Sequence, residues 1–169
     1  LSQPGKHRIR VEVPGGHAAV YVRAATEYGL PWELAPSRPG SLRTTIEGKT
    51  NARDERAALA VVVQNRSPRT IGRPVIEVTL PAGAELDEEG HRRLEALTVA
   101  LPEATRGTLQ LELRSLPPGG TQRLPLPLRW SLAGSLGGLG VAAYPADQTE
   151  DVFILKPRHW DIAATELKP

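Results

Sequence analysis

Few residues in this 169-residue chain belong to types that carry out chemistry, and those few are widely spaced. The sequence contains no Cys, which excludes a thiolate metal site, a cysteine nucleophile and a disulfide framework. The four histidines, at positions 7, 17, 91 and 159, show no i, i+4 pair and no metal-site spacing, although His159 and Asp161 could pair locally. No G-x-S-x-G motif accompanies them, and sequence order alone leaves a Ser–His–Asp grouping open. We therefore expect a protein that is not an enzyme and that holds neither a metal nor a cofactor.

Three short segments imitate binding or modification motifs. The Gly-Lys-Thr tripeptide at 48–50 resembles the end of a phosphate-binding loop, but Arg43 stands where that loop needs its first Gly, so we interpret the tripeptide as a β-turn. The segment 134–140, GSLGGLG, lacks dinucleotide-loop spacing and no helix follows it, which predicts a flexible loop. Residues 65–67, Asn-Arg-Ser, form a formal glycosylation acceptor, but Pro68 follows directly, and we interpret them first as a turn signal.

Charge balance and composition narrow the class of protein. Lys and Arg number 21 against 19 Asp and Glu, which gives a net charge of +2 and a pI of about 9.2. Because the charges are scattered rather than clustered, we expect no nucleic-acid partner. No apolar stretch approaches the roughly 20 residues that cross a bilayer, so we expect no membrane span. The 16 Gly and 16 Pro residues favour short strands joined by frequent turns.

The elements that would position these residues are mostly strands. Apolar patterning predicts a hairpin in 7–24 and further strands in 42–50, 57–65, 73–80, 108–114, 124–132, 140–146 and 152–156. The Pro and Gly residues of 29–40 predict a connector. The nearly all-apolar run at 57–65 predicts a strand covered on both faces, so 57–65 and 73–80 are expected to be central strands. This spacing predicts an all-β fold, an antiparallel β-sandwich with one inserted short α-helix.

The apolar alternation in two of these strands predicts the residues of the hydrophobic core. One shared core is expected to contain Leu109, Leu111, Leu113, Leu124, Leu126, Leu128, Trp130 and Leu132. Pro125 and Pro127 lack N–H groups on a common side of their strand, so that strand should lie at an edge or beside a break in the ladder.

The one predicted helix spans 84–97, with Leu86, Leu94 and Leu97 on one side. Its acidic residues precede its basic ones, the order that the helix macrodipole favours: Asp87, Glu88, Glu89, Arg92 and Arg93. Two interpretations of its charged surface stay open. In one, Glu88, Arg92 and Arg93 form a recognition surface; in the other, Arg92 and Arg93 pair with Glu88 and Glu89 at i, i+4 spacing and serve only solubility.

From Leu42 to about residue 157, the order of the pieces resembles the carboxy-terminal receptor-binding domain of the alpha-2-macroglobulin and thioester-protein family. Three segments carry the likeness: the strand, turn and strand of AALAVVVQNRSPRTIGRPVIEVTLPAG, the helix directly after that final Gly, and the closing pair AAYPADQTEDVFILK. The resemblance implies two parts. Residues 1–36 would be the terminal strands of a preceding β domain plus a connector, and 37–169 a receptor-binding-domain-like β-sandwich.

The family also implies a function. It would be a non-catalytic structural and interaction domain of a macroglobulin-like protease inhibitor that traps proteases, moved or exposed when the parent protein is cleaved. Its partners would be the other domains of the same parent and a receptor or envelope protein, in an extracytoplasmic setting, periplasmic or secreted. The family's two receptor-recognition lysines fall near Glu88 and Arg92, so one of those positions is acidic here. Since the chain opens at Leu1, we expect a mature product or a piece of a larger protein. In proteins of the family that the chain resembles, the thioester motif lies upstream of this region.

Two other functions stay open from the residues themselves. One is a stand-alone adhesin-like or carbohydrate-binding β-sandwich, which clustered exposed aromatic side chains would favour. The other is a hydrolase. The supply of aromatic side chains is small, with three Trp, three Tyr and one Phe.

Overall fold

A computed structural model describes residues 39–50, 56–99, 103–105 and 107–164. The hairpin expected in 7–24, the connector up to residue 38 and the domain boundary at 36 lie outside these residues. The described chain forms eleven strands and one helix: β1 (Leu42–Lys49), β2 (Arg56–Asn65), β3 (Pro74–Thr79), β4 (Ala84–Leu86), α1 (Glu88–Glu95), β5 (Glu103–Thr105), β6 (Thr108–Glu112), β7 (Thr121–Trp130), β8 (Gly134–Gly138), β9 (Gly140–Pro145), β10 (Phe153–Leu155) and β11 (Arg158–Ile162).

The strands assemble into two main antiparallel sheets and one small ribbon. Sheet 1 has the order β1-β2-β7-β4, sheet 2 has the order β10-β9-β3-β6-β5, and β8 pairs with β11 as a two-stranded ribbon. β2 and β3 lie inside their sheets, as the apolar character of their sequences predicts. The predicted fold class is therefore confirmed: an all-β antiparallel β-sandwich with one inserted short α-helix.

The core lies between the inner faces of the two sheets. Alternate residues of β6 and β7 point into it, and every predicted core residue except Leu132 is at most 2% exposed: Leu109, Leu111, Leu113, Leu124, Leu126, Leu128 and Trp130. Leu132 follows the end of β7 and is 48% exposed, so its assignment to the core was wrong. The alternation ends with the strand at Trp130, and side chains beyond that point no longer follow the pleat.

The two prolines of β7 lie beside a break in the ladder, as predicted. The Ser131 N–H donates to the Gly83 carbonyl over 2.7 Å, and residues an even number of positions away direct their backbone nitrogens to the same side. On that side β4 pairs only with the end of β7, the last register pair being Leu86 with Leu128. Pro125 and Pro127 therefore face no strand that needs their missing N–H groups.

Helix α1 is shorter than the predicted 84–97. Residues 84–86 form β4 instead, because they pair with the end of β7. The helix begins only after Asp87, whose backbone is extended (φ −78°, ψ 168°). A turn at Gly83, with φ +71°, precedes β4. The helix ends at Glu95, and Ala96 caps it.

The segment 134–140, predicted as a flexible loop, is mostly strand. Residues 134–138 form β8, which pairs with β11, a strand that lies beyond the last predicted strand at 152–156. The ribbon is stabilised by Trp160 and Ile162 of β11, which are 6% and 3% exposed and belong to the core. A glycine-rich strand has no side-chain alternation, so its own sequence carries no strand signal.

The two long sides of the sandwich are closed differently. On one side β1 contacts β9 and β10, and the Ser41 N–H donates to the Asp151 carboxylate over 3.1 Å. On the other side α1 leads from β4 in sheet 1 towards sheet 2. There Thr98 bridges to Leu113, and the Val99 N–H donates to the Glu112 carbonyl over 2.8 Å. The inserted helix therefore covers a side of the sandwich that no strand closes.

Candidate interaction surface on helix α1

The first turn of α1 is fixed by a side-chain cap. One Asp87 carboxylate oxygen accepts from the Gly90 N–H over 2.8 Å, and the His91 N–H donates to the Asp87 carbonyl over 3.0 Å. Glu88 and Glu89 lie in this first turn and Arg92 and Arg93 in the last, so both ends match the helix dipole. The local sequence thus specifies the helix and its direction.

Gly90 lets the helix approach sheet 1 closely. A Cβ at this position would lie 2.7 Å from Leu86 Cδ1 and 2.8 Å from Pro127 Cγ, closer than carbon atoms pack. The helix therefore rests on the proline-containing part of β7, beyond the point where β4 stops pairing with it. The unfavourable helix propensity of Gly is offset here by this contact.

The apolar side of α1 anchors it. Leu94 is fully buried in the core, while Leu86 and Leu97 are partly buried against it. The prediction that these three leucines share one side holds for the packing, although Leu86 belongs to β4 and Leu97 follows the helix. The anchor comes from residues before, within and after α1.

The opposite side of α1 presents the predicted site residues to solvent. Glu88, Arg92 and Arg93 are all exposed. Arg93 pairs with Glu89 at i, i+4 spacing, so one of the expected helical pairs is present. Within the described part of the chain, neither Arg92 nor Glu88 makes an ion pair. The structure thus contains features of both interpretations: one pair typical of a solvated helix and two unpaired charges beside it.

An apolar side chain extends this surface. Val99, at the end of the segment that follows α1, is 53% exposed, and Ala96 between it and Arg92 is also exposed. We define the α1 surface as Glu88, Arg92, Arg93, Ala96 and Val99. It combines three charged side chains with the exposed Ala96 and one exposed large apolar residue, Val99.

The other residues singled out in the sequence do not form sites of this kind. His159 and Asp161 make no ion pair, and the described residues contain no group of three or more His, Asp or Glu placed to hold a metal ion. Gly48, with φ +104°, lies near the end of β1, and the chain continues into β2 rather than a helix.

Asn65 acts as a buried loop anchor. Its side chain is fully buried, and Nδ2 donates to the carbonyls of Arg69 and Leu116, each over 2.8 Å. Its Oδ1 accepts from the Ser67 N–H over 2.9 Å and from the Ser67 hydroxyl. The strand β2 ends at Asn65 and the chain turns there, so the interpretation of 65–67 as a turn is confirmed. The side-chain amide that a glycan would need is hydrogen-bonded to two backbone carbonyls.

Two polar contacts on sheet 2 could not be found from the sequence. Arg73 donates to both carboxylate oxygens of Glu112, with Nε–Oε1 at 2.5 Å and Nη2–Oε2 at 2.9 Å. This hydrogen-bonded guanidinium lowers the pKa of Glu112 and its own pKa is raised. The partners are distant along the chain and meet through the β3–β6 pairing, so no local pattern signals them.

Tyr144 forms the second of these contacts. Its hydroxyl donates to Glu77 Oε1 over 2.7 Å across the β3–β9 pair. Partial burial raises the pKa of Tyr144 well above its ordinary value, and the hydrogen bond to the Glu77 carboxylate adds to the effect. Since both contacts are structural in character, neither suggests a reacting group.

The described part of the chain has no helix that is long and apolar enough to cross a membrane.

No family model matches this sequence, and no curated protein matches it. Among solved structures, the chain is similar to the ASH / PapD-like domain of human CEP192 (PapD-like domain 7). The two share 14% sequence identity and a TM-score of 0.41, over 85% of this chain and 99% of that chain. A likeness at this level assigns neither a family nor a function.

Proposed function

We propose that this chain is a non-catalytic interaction domain of a macroglobulin-like, protease-trapping protein, and that the α1 surface is where it meets a protein partner. The observation that carries the proposal is that one side of α1 packs against the sandwich while the other side is exposed and charged. Gly90 and Leu94 fix the helix to the sandwich, whereas Arg92 is exposed without an ion pair. Only the buried side of α1 is required to cover the sandwich. Its charged side is therefore available to contact a protein partner.

The order of elements supports the macroglobulin part of the proposal. The resemblance calls for two strands, a Gly, a helix and later a closing strand pair, and the chain has β2, β3, Gly83, α1, β9 and β10 in that order, with the short strand β4 inserted between Gly83 and α1. On this proposal residues 37–169 are the receptor-binding-domain-like unit and 1–36 end the preceding domain. The partners are other domains of the parent protein and a receptor or envelope protein, outside the cytoplasm.

The proposed mechanism is mechanical. The two-sheet core is continuous, with its largest side chains fully buried, so the domain moves as one body. Cleavage of the parent protein by a protease would reposition this body and change what the α1 surface contacts. No bond is made or broken by the domain itself.

A carbohydrate-binding module is less well supported. Such a site stacks sugars on exposed aromatic side chains, but Trp130 is fully buried and Trp160 is 6% exposed. Tyr144 is half-buried and hydrogen-bonded to Glu77. Within the described residues, therefore, no exposed Trp is available as a sugar platform.

Site-specific photo-crosslinking in the intact parent protein tests the proposal. A photoreactive amino acid replaces Arg92 in one variant and Arg43, an exposed residue on β1, in the control. We expect a discrete crosslinked product from position 92, to another domain or to a bound partner, and none from position 43. Equal products from both positions, or none from position 92 before and after protease treatment, would rule out α1 as the contact.

The macroglobulin assignment has a separate test. The coding sequence upstream of Leu1 should contain a Cys-Gly-Glu-Gln thioester motif or further macroglobulin-like β domains. An unrelated upstream region would remove the protease-trapping part of the proposal and leave the interaction domain.

A further inference from the structure

A second surface feature lies in the ribbon that β8 and β11 form beside the end of β3. The ribbon and the end of β3 enclose an open cleft. It is lined by Thr79 and Leu80 at the end of β3, by Gly137 and Gly138 of β8, and by Arg158 and His159 of β11. We propose that this cleft binds a small oxyanion, a carboxylate or a phosphate group, and that Arg158 is its counter-charge. The site is independent of the α1 surface.

Arg158 is held in place by an aromatic ring. Its guanidinium carbon lies 3.9 Å from the ring centroid of Trp160, two residues along the same face of β11. Trp160 is itself fixed, because it is 6% exposed and its Nε1 donates to the Gly138 carbonyl over 3.3 Å. A guanidinium stacked on an immobile ring keeps its N–H edge for a ligand and loses little conformational freedom on binding.

The charge of Arg158 is not neutralised by a neighbour. Within the described residues Arg158 makes no ion pair, and none of the residues that line the cleft is acidic. Asp161 is on the same strand but is not among the described residues that line the cleft. The cleft therefore presents an uncompensated cation of the kind that recognises planar oxyanions with two parallel hydrogen bonds.

The glycines of β8 keep the cleft open. Gly137 is exposed and pairs with His159 in the ribbon. A Cβ at Gly137 would lie 3.7 Å from Cε1 of the His159 imidazole. At Gly138, with φ +157°, a Cβ would lie 2.5 Å from Pro81 Cγ. A side chain at Gly138 would therefore collide with Pro81, and one at Gly137 would stand beside the His159 ring in the lining of the cleft.

The indole signals of the two buried tryptophans give a direct test. In ¹⁵N-labelled protein the Trp160 indole N–H lies beneath Arg158, and the fully buried Trp130 serves as an internal reference. Sodium acetate and inorganic phosphate are titrated separately, against sodium chloride at equal ionic strength. We expect a saturable shift of the Trp160 signal with an oxyanion and not with chloride, and the anion that saturates at the lower concentration identifies the class.

Two variants complete the experiment. Arg158→Gln should weaken the saturable binding by about tenfold or more, since a charge-assisted bidentate contact is lost. Arg66→Gln, at an exposed arginine outside the cleft, should leave it unchanged, and an unshifted Trp130 signal verifies that both variants are folded. No saturable Trp160 shift with either oxyanion, or equal weakening in both variants, overturns the proposal. In that case Arg158 serves only to cover Trp160.

Discussion

At the scale of single residues, Asn65 joins the turn after β2 to the segment before β7. Replacing it with Ala removes one of the two donors to each of the Arg69 and Leu116 carbonyls and leaves the Ser67 N–H without its acceptor. Because unsatisfied buried polar groups are costly, we expect Asn65→Ala to lower the free energy of unfolding by about 1–3 kcal/mol. Denaturant unfolding measures the change. The exposed neighbour Arg66→Ala is the control, with an expected change within about half a kcal/mol. Equal stability of the two variants would mean that the Asn65 network does not hold these turns.

The Arg73–Glu112 pair predicts a pH dependence at the same scale. The folded-state pKa of Glu112 lies below its ordinary value, so the stability that the pair contributes is present above that ordinary value. It is lost as the pH falls through the lowered pKa. We expect Arg73→Gln to move the Glu112 carboxyl titration, followed by ¹³C NMR, back towards the ordinary pKa. Arg43→Gln, at an exposed arginine of sheet 1, should not move it. A Glu112 titration unchanged by Arg73→Gln would show that the pair does not persist in solution.

At the scale of elements, α1 is placed by a contact that helix propensity alone would oppose. In an isolated helix Gly→Ala is favourable by about 1 kcal/mol, but here the added methyl group meets Leu86 and Pro127. We expect Gly90→Ala to destabilise the protein by about 1–3 kcal/mol, the usual cost of overpacking. Gly72→Ala is a matched control, since a Cβ there meets no atom within 4 Å. If Gly90→Ala were as stable as Gly72→Ala in denaturant unfolding, the close approach of α1 to β7 would be contradicted.

The elements differ in how well the sequence alone predicts them. β6 and β7 were predictable because inward and outward positions alternate within a single strand, and Pro125 and Pro127 signalled an unpaired side by their chemistry. β8 was not predictable, since its glycines carry no pattern and its strand form depends on pairing with β11. The exposed charges of α1 follow from its own sequence, whereas the Gly90–Pro127 contact joins residues that are distant along the chain. Pairing between distant segments is the information that local patterns lack.

At the scale of the whole molecule, one core connects both sheets, α1 and the β8–β11 ribbon. Leu111 of sheet 2 is fully buried within it, so Leu111→Ala should lower the free energy of unfolding by about 2–5 kcal/mol. Leu132→Ala removes the same atoms from a side chain that is 48% exposed, so it should lower the free energy of unfolding far less. A loss under about half a kcal/mol for Leu111→Ala would contradict the shared core.

The central claim is that the charges of α1 serve recognition while its apolar side serves folding. The most direct measurement is the affinity of wild type and of Arg92→Gln/Arg93→Gln for the remaining domains of the proposed macroglobulin-like parent protein, purified separately. The control is Arg43→Gln/Arg66→Gln, which removes the same charge from exposed positions away from α1. We predict that Arg92→Gln/Arg93→Gln binds about tenfold more weakly than wild type, and that its affinity depends less on salt concentration. Its unfolding free energy should stay within about half a kcal/mol of wild type. Equal affinity of the two double variants at unchanged stability would contradict the claim and leave α1 as a cover for the sandwich.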